Sequence, residues 1–243
     1  MGTISVNKAG GLALMLAPLV TLIFYFLQPG GAFIDAADPA SAQETIIAIL
    51  GNSGLGQVTG VMIPIGLLFL AAGVYALRAN IGSGGNGNAL AGIGALFIYS
   101  GIVGWVISSG ATLAIAGTSL PAAQAVPVYG SLYGATIGIG TVAGIIVGIG
   151  FLSLALAVST RDDNNKAFAL VAAAVAVVAI VVTVLGALDD SQLQTMGTIT
   201  GICYVVHAVW LFLVGRTLAN RVNVSFSDKG INKTKARSGL RFI

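Results

Sequence analysis

A chain of 243 residues that is 56% hydrophobic and only 8% charged, with a mean hydropathy of +0.97, cannot clothe a soluble surface. A soluble domain carries about 25% charged residues because its outside must face water. The single cysteine, Cys203, excludes an intrachain disulfide and a cysteine metal cluster.

The fold class this implies is all-α: a polytopic membrane helix bundle. A hydrocarbon core of about 30 Å takes about 20 apolar residues per helix. Six stretches qualify, at 9–27, 58–77, 89–116, 130–158, 167–188 and 197–215, and none holds a Lys, Arg, Asp or Glu. Together they make a transmembrane domain of 1–215, followed by a basic tail of 216–243. The first stretch, with Pro18 inside it, also admits a reading as a signal peptide. Its apolar run is longer than the usual signal core, so it is taken as a span.

The first loop, 28–57, is the longest. Asp38 is expected to cap a helix that begins at Pro39. In "PASAQETIIAIL" the residues Ile46, Ile49 and Leu50 would share one side and Glu44 the other. This predicts a short interfacial helix on the outer surface; the rival reading is a lid on the bundle. In the alternative reading of a pathway for a neutral molecule, Pro18 and Pro64 would break spans one and two and free carbonyls to line it. Mild polarity comes from Gln57, Thr59, Ser100, Ser108, Thr136 and Thr141.

Span three carries Gly94, Gly101, Gly104 and Ser108 on one narrow stripe at about 100° per residue. In span four, Gly138, Gly140 and Ala143 fit G-x-G-x-x-G/A, the dinucleotide fingerprint, with Asp162 and Asp163 downstream. That fingerprint needs a strand, a tight turn and a helix. Here the apolar run continues unbroken as "IIVGIGFLSLALAVST", so the glycines are assigned to helix packing instead. Gly130, Gly134, Gly138, Gly140, Gly144 and Gly148 share a broad face, and small residues four apart let backbones touch. Gly144 is expected to tolerate bulk least, and Gly150, on the other side, to tolerate it well. Pro39 and Pro121, Gln43 and Gln124, and Arg78 and Arg161 recur at similar spacing, a faint sign of a repeated hairpin.

Span six holds the only histidine, His207, with Thr200 and Cys203 on a similar side as a candidate intramembrane polar site. Cys and His four apart can point to one metal, but zinc takes three or four ligands and no other ligand lies at this depth. No catalytic set, metal site or cofactor motif is found, so cofactors and enzymatic activity are not expected. Intramembrane charge, the usual device of ion coupling, is absent from the spans.

With six spans, all 11 basic residues fall on one side of the membrane. The positive-inside rule then makes both termini cytoplasmic, in a multi-pass protein of the cell membrane. The tail residues Arg216, Arg221, Lys229, Lys233, Lys235, Arg237 and Arg241 are candidates for contact with anionic lipid headgroups, at about 1 kcal/mol per charge. Nucleic acid is not an expected partner. The functional expectation is a non-catalytic scaffold or accessory subunit, joining a homo-oligomer or other membrane subunits. The alternative is a channel, carrier or binder for a small neutral or lipophilic molecule.

Overall fold

The computed structural model describes residues 4–82 and 87–221. It is all-helical in its named elements: α1 (Val6–Phe26), α2 (Ala42–Gly51), α3 (Ser53–Gly82), α4 (Asn88–Ala116), α5 (Ala122–Ser159), α6 (Lys166–Leu188) and α7 (Leu193–Ala219), with one 3-10 turn at Asp190–Gln192. Six of these, all but α2, are long and apolar enough to cross a membrane, which marks a multi-pass membrane protein. The tail residues Lys229, Lys233, Lys235, Arg237 and Arg241 lie outside the described residues.

The six long helices form a ring. Each packs mainly against two others, in the order α1, α3, α4, α5, α6, α7, and α7 returns to α1. Short connections force chain neighbours to run antiparallel, so the start of α1 and the ends of α3, α5 and α7 gather at one end of the ring. At that end Arg221 hydrogen-bonds Asn80 and pairs with Asp163, while Asp163 also lies 3.6 Å from Arg161 and Lys166 pairs with Asp162 at 3.3 Å. The C-terminal turn of α7 is thereby tied to the end of α3 and to the α5–α6 loop.

Capping chemistry sets several helix starts. Ser5 caps α1 by accepting from the Lys8 amide, and Asn165 caps α6 by accepting from the amides of Ala167 and Phe168. Gly87 opens α4 with φ +82°, a conformation that L side chains rarely adopt. A Cβ there would also stand 2.7 Å from the Ala157 carbonyl.

Three local expectations need correction. The cap of α2 is Ser41, not Asp38: Ser41 Oγ accepts from the Glu44 amide at 3.2 Å, and Glu44 reaches back to the Asp38 amide. Asp38 instead folds the approach, accepting from the Ala40 amide at 2.9 Å. Secondly, α1 and α3 run through Pro18 and Pro64 without interruption. Neighbouring helices hold a proline-containing helix together in an apolar medium. Thirdly, the helix that contains span four extends beyond 130–158: α5 starts at Ala122 and runs through Pro127.

The helix in the first long loop is present as α2, and its apolar side faces the bundle. Ile46 and Ile49 are buried among Ile115, Ala116, Ala125 and Tyr133, while Glu44 is exposed. Tyr133 Oη donates to the Pro39 carbonyl at 2.9 Å and lies 3.1 Å from Thr45 Oγ1. The short helix of the first loop is thus seated on α4 and α5 at the end of the bundle. The hairpin echo meets a difference here. α2 and α3 are separate helices broken at Asn52, whereas the segment after Pro121 is continuous with α5.

Candidate functional site

The glycine stripe of α4 lies against α5. A Cβ on Gly94 would stand 2.8 Å from the Leu154 nitrogen and 2.9 Å from the Gly150 carbonyl oxygen. On Gly101 it would lie 2.8 Å from the Ala143 carbonyl, and on Gly104 2.8 Å from the Ala143 Cβ. Ser108 Oγ donates to the Thr136 carbonyl at 3.2 Å, extending the same contact. Separations below about 3.0 Å leave no room for a side chain, so the two backbones touch.

The α5 residues that receive this stripe lie outside the glycine face of Gly140, Gly144 and Gly148. Ala143, Val147, Gly150 and Leu154 face α4, and a Cβ on Gly150 would stand 2.8 Å from the Ile98 nitrogen. Gly148 looks a different way, at Ile180 of α6, where a Cβ would be 2.6 Å from Cγ1. Gly144 has only ordinary contacts, 3.6 Å to Thr183 and to Tyr204 Oη, and Gly140 has one neighbour at 3.8 Å. Gly130, Gly134 and Gly138 have no described atom within 4 Å. The broad face inferred from the sequence therefore divides into three: a close contact with α6, a region of ordinary contact inside the ring, and an open stripe. The expected ranking of Gly144 and Gly150 is reversed. Six positions set Gly144 and Gly150 about 120° apart on one helix, so they serve two different neighbours, and composition does not say which neighbour comes closer.

Sequence reasoning missed the closest approaches of α1. Gly11 and Gly215 meet with their carbonyls 2.5 Å and 2.6 Å from the other's Cβ position, and Gly73 lies under Leu14. A signal was available: the pair Gly10-Gly11, Gly73 and Gly215 lie in apolar runs, where small residues let helices approach closely.

An aromatic cluster fills the ring at mid-depth. Trp105 of α4 meets Tyr204 of α7 edge-on at 5.4 Å, and Phe151 of α5 stacks on His207 of α7 at 4.6 Å. Trp105 Nε1 donates to the Gly140 carbonyl at 3.2 Å. His207 is 1% exposed, and its Nε2–H donates to the Ala172 carbonyl of α6 at 3.1 Å. That bond fixes the neutral tautomer, leaving Nδ1 bare. Tyr204 Oη, Tyr99 Oη and His207 Nδ1 are buried without a hydrogen-bond partner.

The three residues of the candidate polar site do not converge on a common point. Thr200 turns to Thr183 of α6 at 3.3 Å, Cys203 is buried, and His207 is engaged with Ala172. Among the described residues no group of three His, Cys, Asp or Glu is placed to hold a metal ion. The mild polar groups are spent inside the fold. Thr59, Ser100, Thr136 and Thr141 each donate to a carbonyl one turn earlier in their own helix, and Gln57 donates to Ala116. Arg216 and Arg221 stand at the end of α7, where Arg221 is committed to Asp163 and Asn80 and Arg216 is exposed.

Set against known proteins, the chain matches no family model, no curated protein and no solved structure.

Proposed function

We propose that this multi-pass protein is a non-catalytic packing element, a scaffold or accessory subunit of a membrane complex. One observation carries the reading. Gly130, Gly134 and Gly138 repeat at four-residue spacing on α5 and have no described atom within 4 Å of a Cβ position. In lipid, helices gain little from burying apolar side chains against one another. Association rests on close packing, and small residues four apart permit it. A further helix, from a second copy or from another subunit, fits that stripe. The aromatic filling of the ring and the locally satisfied hydroxyls support this reading over a pathway for solutes. The one-sided basic residues support a cell-membrane protein with both termini cytoplasmic.

The test is the size and composition of what is purified in mild detergent. Gly134→Leu should leave the chain folded but reduce its association with itself or with co-purifying subunits. An unchanged assembly in that variant would remove the basis of the proposal. A neutral molecule recovered in stoichiometric amount from an otherwise solitary chain would favour a carrier or binder instead.

A further inference from the structure

At the end of the ring where α1 begins, α1 and α7 form an open surface groove of about 530 Å³. Its walls are two helical stripes. Lys8, Leu12 and Met15 come from α1; Phe212, Arg216, Ala219 and Asn220 come from α7. The helices are antiparallel, so both stripes are graded the same way. Lys8, Arg216 and Asn220 lie at the outer turns, and Leu12, Met15 and Phe212 lie toward the membrane interior. The close approach of Gly11 and Gly215 brings the two walls together.

Among the described residues, the charges in this groove have no carboxylate partner. Lys8 and Arg216 are both exposed. The described acids at this end are already engaged: Asp162 with Lys166, and Asp163 with Arg161 and Arg221. Two free cations at headgroup level above an apolar trough complement one kind of molecule on both counts. We infer that the α1–α7 groove is a site for a single anionic glycerophospholipid. Its phosphate lies between Lys8 and Arg216, the Asn220 amide donates to the headgroup or glycerol oxygens, and an acyl chain runs along Leu12, Met15 and Phe212. A zwitterionic lipid brings its own cation and gains less from the pair. This site is distinct from diffuse attraction of the basic tail to the membrane surface, and it does not depend on the scaffold reading.

The probe is native mass spectrometry of the full chain in detergent, titrated with phosphatidylglycerol, with phosphatidylcholine of the same acyl chains, and with inorganic phosphate. One phosphatidylglycerol should bind severalfold in preference to phosphatidylcholine. Lys8→Gln and Arg216→Gln should each reduce that preference severalfold, and Lys8→Arg should keep it. Lys166→Gln, which removes the same charge elsewhere at this end, should not alter it. Nor should glutamine at Lys229, Lys233, Lys235, Arg237 and Arg241. Equal binding of the two lipids, or an equal loss in Lys166→Gln or the tail variant, would overturn the site. Displacement of the lipid by phosphate alone would make it a free-anion site and overturn the lipid assignment. A reading independent of folding in the variants uses the wild-type chain with a photoreactive acyl chain on phosphatidylglycerol. Labelling should concentrate on Leu12, Met15 and Phe212; labelling spread evenly over the exposed faces of α3 and α6 would overturn the inference.

Discussion

Trp105 and Tyr204 meet at right angles, ring centroids 5.4 Å apart, although they sit on α4 and α7, which are not neighbours in the ring. This contact spans the inside of the bundle and makes Tyr204 a cross-brace. Tyr204→Ala should lower thermal stability in detergent strongly, in the range of about 3–5 kcal/mol typical of emptied aromatic sites. Tyr204→Phe should be neutral or stabilising, because the buried Oη has no partner to lose. A large loss in Tyr204→Phe would mean that the hydroxyl is bonded, to water or to a ligand.

Gly94 and Gly150 face each other across the α4–α5 contact. Leucine at either position must push the helices apart, at a cost of at least about 1–3 kcal/mol. Gly144→Ala places a methyl 3.6 Å from its nearest neighbours and should be tolerated. Melting temperatures of the three variants give the ranking. Equal tolerance throughout would show that the backbones do not touch.

The seat of α2 depends on Tyr133. Tyr133→Phe removes the bond to Pro39 and leaves that carbonyl without its partner, a loss on the order of 1 kcal/mol. Hydrogen exchange over 42–51 should rise while the long helices keep their protection. Unchanged exchange would show that Ile46 and Ile49 hold α2 without help.

His207→Gln keeps a donor toward Ala172 and should fold nearly as the wild type does. His207→Leu loses the bond and should be less stable by about 1 kcal/mol. Metal or haem bound in proportion to protein, and lost in the Gln variant, would give His207 a role beyond this bond.

Orientation is testable with single cysteines in a Cys203→Ala background. Gln43 is exposed and leaves the Ser41 cap intact. In intact cells an impermeant thiol reagent should label Gln43→Cys and not Ser238→Cys. The opposite pattern would reverse the proposed topology.

The number of spans and the membrane setting were legible in the sequence because they rest on properties each segment carries alone. An apolar run of sufficient length must be helical in lipid, where every backbone group needs an internal partner. The stripe of Gly94, Gly101 and Gly104 was legible for the same reason, since helical periodicity fixes which residues share a side. What that side touches is a relation between helices, and only the tertiary structure decided it. The ring order sends Gly150 to α4 and Gly148 to α6, leaves Gly134 open, and seats α2 on Tyr133. It also brings Trp105 to Tyr204 and Lys8 to the groove of Arg216, pairs far apart in the chain. A helix presents all its faces at once in the sequence, and packing alone selects the partner for each.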